Sequence, residues 1–212
     1  ALLRTPEKIA EMITALKNTV KVPVSVKIRL GYDCIESEKI IYPIMKAKPE
    51  AVFVHGRTVA QAYSGTSNWE EIDRIARLLH GEGILSYGSG DMFSPEAIVN
   101  ALRRYSVDGV VIARGAIGNP WIFRQSKDLI QKGFYEDPGL SERLGYFSTH
   151  LELLGKIVGE EQAIRELRKS FAGYTRNMRN GARLRTEYMK CSSMEDVRDF
   201  LTVYGNVNSS IR

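Results

Sequence analysis

The sequence predicts an α/β fold built from repeated strand–helix units and followed by a segment that is entirely helical. Four short apolar runs alternate with helical patterns between Val22 and Lys132, at a spacing of roughly 30 residues. Units of this kind form parallel sheets with right-handed crossovers. A break at Asp137, Pro138 and Gly139 ends the alternation, and only helical patterns follow it. We therefore predict two domains, residues 1–138 and residues 139–212.

The composition is that of an ordinary folded protein with a mild basic excess. The 212 residues are 43% hydrophobic, and Lys and Arg outnumber Asp and Glu by 30 to 25. That excess suits a polyanionic partner without identifying one. Cys34 and Cys191 fit neither a disulfide framework nor a metal-ligand spacing, which predicts a reduced, cytoplasmic protein with no metal site. The sequence contains no long apolar stretch that predicts a membrane span.

The first helix and the first strand open the chain. Pro6 is placed to start a helix that ends near Asn18. The strand predicted over residues 22–30 alternates in polarity, with Lys27 and Arg29 on the same side. A cation on the inner side of a sheet is costly to bury unless a ligand meets it. Lys27 is therefore a candidate for ligand binding.

The most informative stretch is the second strand with the turn that follows it. After a helix predicted over residues 36–48, the apolar run 51–54 is too short for a helix and indicates a buried parallel strand. His55 and Arg57 follow directly. Because the carboxyl ends of such strands face the ligand, both residues are placed for chemistry or for anion contact. The alternative is a His that caps the next helix, predicted over residues 69–79, beside a solvated Arg.

Two Gly-rich turns follow the third and fourth strands, predicted over residues 83–87 and 108–113. Gly88 and Gly90 lie in the first turn, and Arg114 lies in the second. Glycines let backbone N–H groups approach a phosphate closely, and an arginine adds charge. Each turn alone is also consistent with a plain tight turn. Two in succession match the phosphate-binding loops after the seventh and eighth strands of a βα barrel, although four units also suit a small open sheet.

The helical segment carries a basic stripe. Helices are predicted over residues 140–158, 160 to about 180, and 194–204. On a helical wheel of residues 160–179, apolar side chains occupy one side and basic side chains the other. The basic residues are Arg165, Arg168, Lys169, Arg176 and Arg179, and Arg183, Arg185 and Lys190 extend the stripe. The stripe indicates either binding to a phosphate backbone or a solvated charged face.

Five motifs together resemble the tRNA-dihydrouridine synthase family. They are VKIR at 26–29, HGRT at 55–58, GSGD at 88–91, DGVVIARGAIGNPWIF at 108–123, and RKS-F-Y around 168–174. Their order and spacing cover nearly the whole chain. The resemblance implies the C-terminal four βα units of a TIM (β/α)8 barrel over residues 1–138. A helical tRNA-binding domain then follows over residues 139–212.

The resemblance implies an FMN-dependent enzyme that reduces a uridine of tRNA to dihydrouridine, with NADPH as the reductant. It places Lys27 and His55 against the FMN ring and the target base. It assigns the FMN phosphate end to Ser89, Gly90, Asp91, Ala113 and Arg114. Arg57 and the basic stripe are expected to contact tRNA phosphates, which position the substrate without reading its sequence. The target base must leave its stack to reach the flavin.

The sequence also departs from the family pattern. Ser89 replaces the usual Asn, and Ala113 replaces a Gly, which crowds the approach of the phosphate. By resemblance, the first four barrel strands and the cysteine that donates a proton to the uracil ring lie upstream of Ala1. We therefore expect a half-barrel that is completed by a second copy or by an N-terminal part and that is inactive alone. Cys34 does not match a catalytic position of the family.

Two other functions remain open at this point. One is an FMN-dependent barrel oxidoreductase that acts on a small molecule, which has no need of the basic stripe. The other is a non-catalytic RNA-binding remnant, for which we expect steeply salt-dependent tRNA binding and no flavin.

Overall fold

A computed structural model of the protein describes residues 2–205. The chain divides into two compact units, Ala1–Gly115 and Ala116–Arg212. This division lies earlier than the boundary predicted after residue 138. The physical reason is that Trp121 is buried in the hydrophobic core of the second unit. Among residues 2–205, no helix combines the length and the apolar character needed to cross a membrane.

The first unit is an α/β structure with one parallel sheet. Its four strands are hydrogen-bonded in the order β1-β2-β3-β4, and all three pairings are parallel. The α/β class and the parallel sheet predicted from the sequence are confirmed. The elements are α1 Pro6–Thr19, β1 Ser25–Arg29, α2 Ser37–Lys46, β2 Ala51–His55, α3 Trp69–Gly81, β3 Leu85–Ser89, α4 Pro95–Arg104 and β4 Gly109–Val111.

The register of the sheet determines which side chains share a face. Ile28 pairs with Val54, and Val54 pairs with Gly88. Ile28 and Val54 are buried, as is typical of the sheet face that packs on helices. Residues one position away point to the opposite face. Arg29, His55, Ser89 and Val111 therefore lie side by side where the four strands end.

Local signals define the helices of the first unit. Asn68 caps α3 by accepting a hydrogen bond from the Glu71 amide, and Ser94 caps α4 by accepting one from the Ala97 amide. The Trp69 indole donates to the Gly90 carbonyl at 3.0 Å. A Cβ at Gly88 would lie 2.5 Å from the Trp69 ring. The first Gly-rich turn is therefore fixed against the start of α3.

The second unit is helical and has an aromatic core. Its helices are α5 Ile122–Lys132, α6 Leu140–Val158, α7 Glu160–Tyr174, α8 Gly181–Tyr188 and α9 Met194–Gly205. The Phe147 ring centroid lies 4.7 Å from that of Phe171 and 4.9 Å from that of Tyr188, both in edge-on geometry. All three rings are almost completely buried, as expected of the side chains that hold the helices together.

Helix α7 is shorter than predicted. The prediction that it continues to about residue 180 is wrong, because it ends at Tyr174. The Thr175 hydroxyl donates to the Phe171 carbonyl at 3.0 Å, and Asn177 and Asn180 adopt left-handed backbone conformations with φ of 57° and 64°. A continuous α-helix does not accommodate such conformations. The chain therefore turns before α8 begins.

Replacement by alanine is expected to have opposite effects on stability at two glycines of the second unit. Gly118 has a φ of +63°, and its added Cβ would lie 2.4 Å from the Ser170 carbonyl oxygen, whereas Gly145, within α6, has open space around it. We expect Gly118→Ala to lower the free energy of unfolding by about 2 kcal/mol or more. Gly145→Ala should raise it by about 0.5–1 kcal/mol. Urea denaturation of both variants measures the difference, and equal effects would contradict the close approach at Gly118.

Candidate functional site

A cavity of about 160 Å³ lies in the first unit, where the strands end. Its lining includes every residue that the resemblance assigns to FMN, namely Lys27, His55, Ser89, Gly90, Asp91, Ala113 and Arg114. These residues come from all four strand ends. The parallel register brings them together, because each strand delivers its final residues to the same edge of the sheet.

His55 is a half-buried residue of this cavity with an unused hydrogen-bonding atom. Its Nε2 atom is buried and has no hydrogen-bond partner among residues 2–205. Burial lowers the pKa of His55 to about 4, and the positive charges of Arg29, Lys27 and Arg57 act in the same direction. The imidazole is therefore neutral at pH 7. A buried nitrogen without a partner is costly unless a ligand completes its hydrogen bond.

Lys27 lines the cavity but is exposed. The expectation that it would be a buried cation is therefore wrong for the described chain. The reason is its place in the sheet, since β1 is an edge strand among the four strands and has β2 as its neighbour. The Lys27 ammonium is free to contribute positive charge at the β1 side of the cavity.

Arg57 differs most from its predicted role. Its side chain is 2% exposed, and all five of its N–H groups are donated within the protein. The acceptors are the Ser64 carbonyl at 3.1 Å, the Ser67 hydroxyl at 2.9 Å, the Gly65 carbonyl at 2.6 Å, and the two Asp91 carboxylate oxygens at 3.0 and 2.9 Å. Burial and these bonds leave no N–H group for a phosphate. The prediction that Arg57 contacts tRNA phosphates is therefore corrected.

Asp91 connects several groups at the first Gly-rich turn. Besides Arg57, its carboxylate accepts the Ser67 amide at 2.8 Å and lies 3.5 Å from the Arg114 guanidinium. Burial alone would raise the pKa of Asp91, but the hydrogen bonds from Arg57 and the Ser67 amide outweigh it and lower the pKa below its usual value. An ionised carboxylate only accepts hydrogen bonds. Its side chain is therefore suited to hold Arg114 rather than to meet a phosphate directly.

Arg114 lies at the rim of the cavity between two aromatic rings. Its guanidinium carbon is 4.2 Å from the Tyr63 ring centroid and 5.3 Å from the Phe93 ring centroid. The next residue, Gly115, lies so close to the first turn that a Cβ would be 1.9 Å from the Met92 carbonyl oxygen. The two Gly-rich turns are therefore packed together, with a restrained arginine between them and the cavity.

The second unit carries a separate basic region, residues 162–190. This region contains eight Lys and Arg against two Glu. Arg165 pairs with Glu161 at 2.6 Å, Arg168 donates to the Cys191 carbonyl at 3.0 Å, and Lys169 is exposed on the same helix. Arg176 and Arg179 are also exposed but lie beyond the end of α7. The prediction that these five basic residues form one stripe on a single helix is therefore wrong. Three of them lie on α7, and two lie in the segment that follows it.

A family model described as dihydrouridine synthase matches residues 1–208 of this chain. The chain belongs to the dihydrouridine synthase family. It is 33% identical over 204 residues to a probable tRNA-dihydrouridine synthase of Treponema pallidum. The aligned region covers 92% of this chain and 60% of that relative. It is 31% identical over 180 residues to tRNA-dihydrouridine synthase B of Pasteurella multocida, and this alignment covers 82% of this chain and 52% of that relative. The chain thus spans about half to three-fifths of the length of these relatives.

The cavity includes residues that the sequence-based assignment omitted. Arg29 lines it and donates to the Thr58 and Ala62 carbonyls at 2.7 and 3.1 Å. The alternation that singled out Lys27 also places Arg29 on the same side, so the signal for Arg29 was present. Phe93 follows a Gly-rich turn as an ordinary apolar residue, and no sequence signal indicates its position beside Arg114.

The titration of His55 is a direct test of the electrostatics of the cavity. We expect its ring to remain neutral down to a pH near 4, because burial and three nearby cations disfavour the imidazolium. The folded protein then binds fewer protons than the unfolded chain between about pH 4 and 6.5, so stability falls as the pH drops through this range. NMR titration of the histidine rings, with His55→Gln for assignment, measures the pKa. A midpoint near 6.5 would contradict this environment.

Proposed function

We propose that this chain carries the flavin site and the tRNA-binding region of an FMN-dependent tRNA-dihydrouridine synthase, which reduces a uridine of tRNA with NADPH. The observation that carries the proposal is the cavity at the strand ends. It gathers all seven residues assigned to FMN, and one of them is a neutral histidine whose buried Nε2 has no partner among residues 2–205.

The residues of the cavity fit the two ends of FMN. At the ring end, the His55 Nε2 atom offers a hydrogen bond that nothing in the described chain completes, and Lys27 supplies a positive charge. A cation there favours negative charge that develops on an electron-rich ring. At the phosphate end, Arg114 and the backbone of the turns at Gly90 and Gly115 provide the positive charge and the close approach that a phosphate needs.

When bound, FMN supplies the hydride that reduces the uridine, and the residues of this chain bind and orient. His55, neutral at pH 7, forms a hydrogen bond without adding charge. Asp91 holds Arg114 through its carboxylate and does not meet the phosphate. Arg57 holds the Asp91 carboxylate in place through two hydrogen bonds. Its other N–H groups are also engaged inside the protein. We therefore separate residues that contact the flavin directly, such as His55 and Arg114, from Asp91 and Arg57, which hold Arg114 in place.

We further propose that the four-stranded sheet is part of a larger barrel. The four parallel strands belong to the second half of a TIM barrel that forms the flavin domain, and helices α6 to α9 belong to the tRNA-binding domain. Such a barrel contains eight strands. The four strands described here close into a barrel only with strands from a partner chain or from further sequence, and we expect no synthase turnover until they do.

Flavin binding tests this function. FMN fluorescence titrated with the protein should be quenched at a saturable site, and Lys27→Met and Arg114→Met should each weaken binding about tenfold, because each removes a charge from one end of the cavity. Arg74→Met is the matched control, since Arg74 pairs with Glu71 and Glu38 and does not line the cavity. Absence of quenching by the wild-type protein, with tRNA binding intact, would favour an RNA-binding protein without flavin.

A further inference from the structure

We propose that Arg57 is a positioning residue that fixes the phosphate end of the flavin site and affects its ring end much less. This inference rests on the proposed function. Arg57 does not line the cavity, and its guanidinium is buried beneath it. Its influence must therefore pass through the groups that its N–H atoms hold.

Arg57 joins three segments that are distant in sequence. It lies just after β2, it donates to the Ser64 and Gly65 carbonyls of the loop formed by residues 59–68, and it holds the Asp91 carboxylate after β3 through two parallel bonds. Such a two-pronged bond requires a planar guanidinium. Lysine carries the same charge but cannot reproduce five directed N–H groups.

Two restraints on Arg114 depend on these contacts. One is Asp91, whose Oδ1 atom is 3.0 Å from Arg57 Nη1 and 3.5 Å from Arg114 Nη2. The other is Tyr63, whose ring covers the Arg114 guanidinium at 4.2 Å and which immediately precedes Ser64, a residue held by Arg57. Loss of the hydrogen bonds from the Arg57 guanidinium weakens both restraints together, so Arg114 loses its fixed orientation.

The backbone of the first turn depends on the same side chain. The Ser67 hydroxyl accepts a hydrogen bond from Arg57 and packs against Gly90 so closely that a Cβ at Gly90 would lie 1.9 Å from it. The Ser67 amide also donates to Asp91 at 2.8 Å. The turn that approaches the phosphate is therefore held by Ser67 and Asp91, and both are bonded to Arg57. At the ring end, neither the Lys27 nor the His55 side chain is a hydrogen-bond partner of the Arg57 guanidinium, which reaches His55 only through its charge.

The test compares FMN with riboflavin, which has the same ring and no phosphate. For Arg57→Lys we expect FMN affinity to fall about tenfold or more and riboflavin affinity to change less than about threefold, measured by quenching of flavin fluorescence. The preference of the wild-type protein for FMN over riboflavin then shrinks. A purely structural role would lower both affinities equally, and that result would overturn the proposal. Arg74→Lys, which changes a paired arginine outside the cavity, should leave both affinities unchanged.

A second measurement uses the protein without ligand. Hydrogen exchange of the peptide spanning residues 61–68 should be faster in Arg57→Lys, because the loop loses the donors to Ser64 and Gly65. Ser67→Ala removes one Arg57 contact with little risk to folding and should give a smaller change in the same direction. If hydrogen exchange were unchanged in both variants while the wild-type protein bound FMN tightly, the role proposed for Arg57 would be overturned and the proposed function would stand. A wild-type protein that binds neither flavin would overturn the proposed function together with this inference.

Discussion

Asp91→Ala is expected to lower the free energy of unfolding of the first unit by about 3–5 kcal/mol, because it leaves a buried guanidinium without the carboxylate that pairs with it. The Arg57 side chain is 2% exposed, so water cannot replace the lost partner at low cost. The Ser67 amide also loses its acceptor at 2.8 Å. Urea denaturation followed by circular dichroism, with the midpoint and the slope determined separately, measures the loss.

The control for this prediction is an ion pair of the same type at the surface. Arg4 and Asp33 lie 3.0 Å apart, and their side chains are 58% and 70% exposed. Asp33→Ala should change the free energy of unfolding by less than about 1 kcal/mol, since exposed pairs are screened by solvent. If Asp91→Ala were no more destabilising than Asp33→Ala, the buried pair would not hold the turn, and the explanation given for the position of Arg114 would fail.

The pH dependence of Asp91 provides a further check on the same pair. Its pKa is lowered in the folded protein, so its contribution to stability is present above the usual aspartate pKa and is lost as the pH falls through the folded value. The stability difference between the wild-type protein and Asp91→Asn should therefore shrink in acid. A difference that grew as the pH fell would have the wrong sign for a carboxylate held by Arg57.

Sequence patterns were sufficient for the parts of this structure that depend on local signals. The alternation of short apolar runs and helical patterns predicted four parallel strands, because strands that alternate with helices usually form parallel βα units. The bounds of α6, Leu140–Val158, agree with the predicted range. The resemblance grouped seven residues that line the cavity, and the parallel sheet explains their proximity, because parallel strands all end at one edge of the sheet.

Features that depend on distant contacts were not predictable in the same way. Arg57 follows a strand, which made it a surface candidate, yet it is buried by Asp91, a residue 34 positions later in the chain. Nothing local indicates that pairing. Gly173 is a second case, since it packs so closely against a distant segment that a Cβ there would lie 2.6 Å from the Ile117 carbonyl oxygen. The helix ends one residue after Gly173, at Tyr174.

The other large effect is expected in tRNA binding. Replacing Lys169, Arg176 and Arg179 together by Gln should weaken binding of unmodified tRNA about 100-fold at low salt. That value corresponds to about 1 kcal/mol for each lost phosphate contact. The slope of log affinity against log salt concentration should become shallower by about 2–3, since each contact releases close to one counterion. All three side chains are exposed, in a region with eight basic and two acidic residues. Filter binding or fluorescence anisotropy over a salt series measures both quantities.

A second triple variant separates the position of the charges from their number. Arg74, Arg77 and Arg104 pair with acidic side chains of the first unit, and replacing them by Gln removes the same three positive charges. If the basic region binds the phosphate backbone, this variant should lose less than about threefold in affinity, because its arginines are already neutralised by their partners. Equal losses in the two variants would mean that tRNA responds only to net charge. The basic region would then be a solvated surface, and the tRNA-binding role proposed for the helical domain would fail while the flavin site stood unaffected.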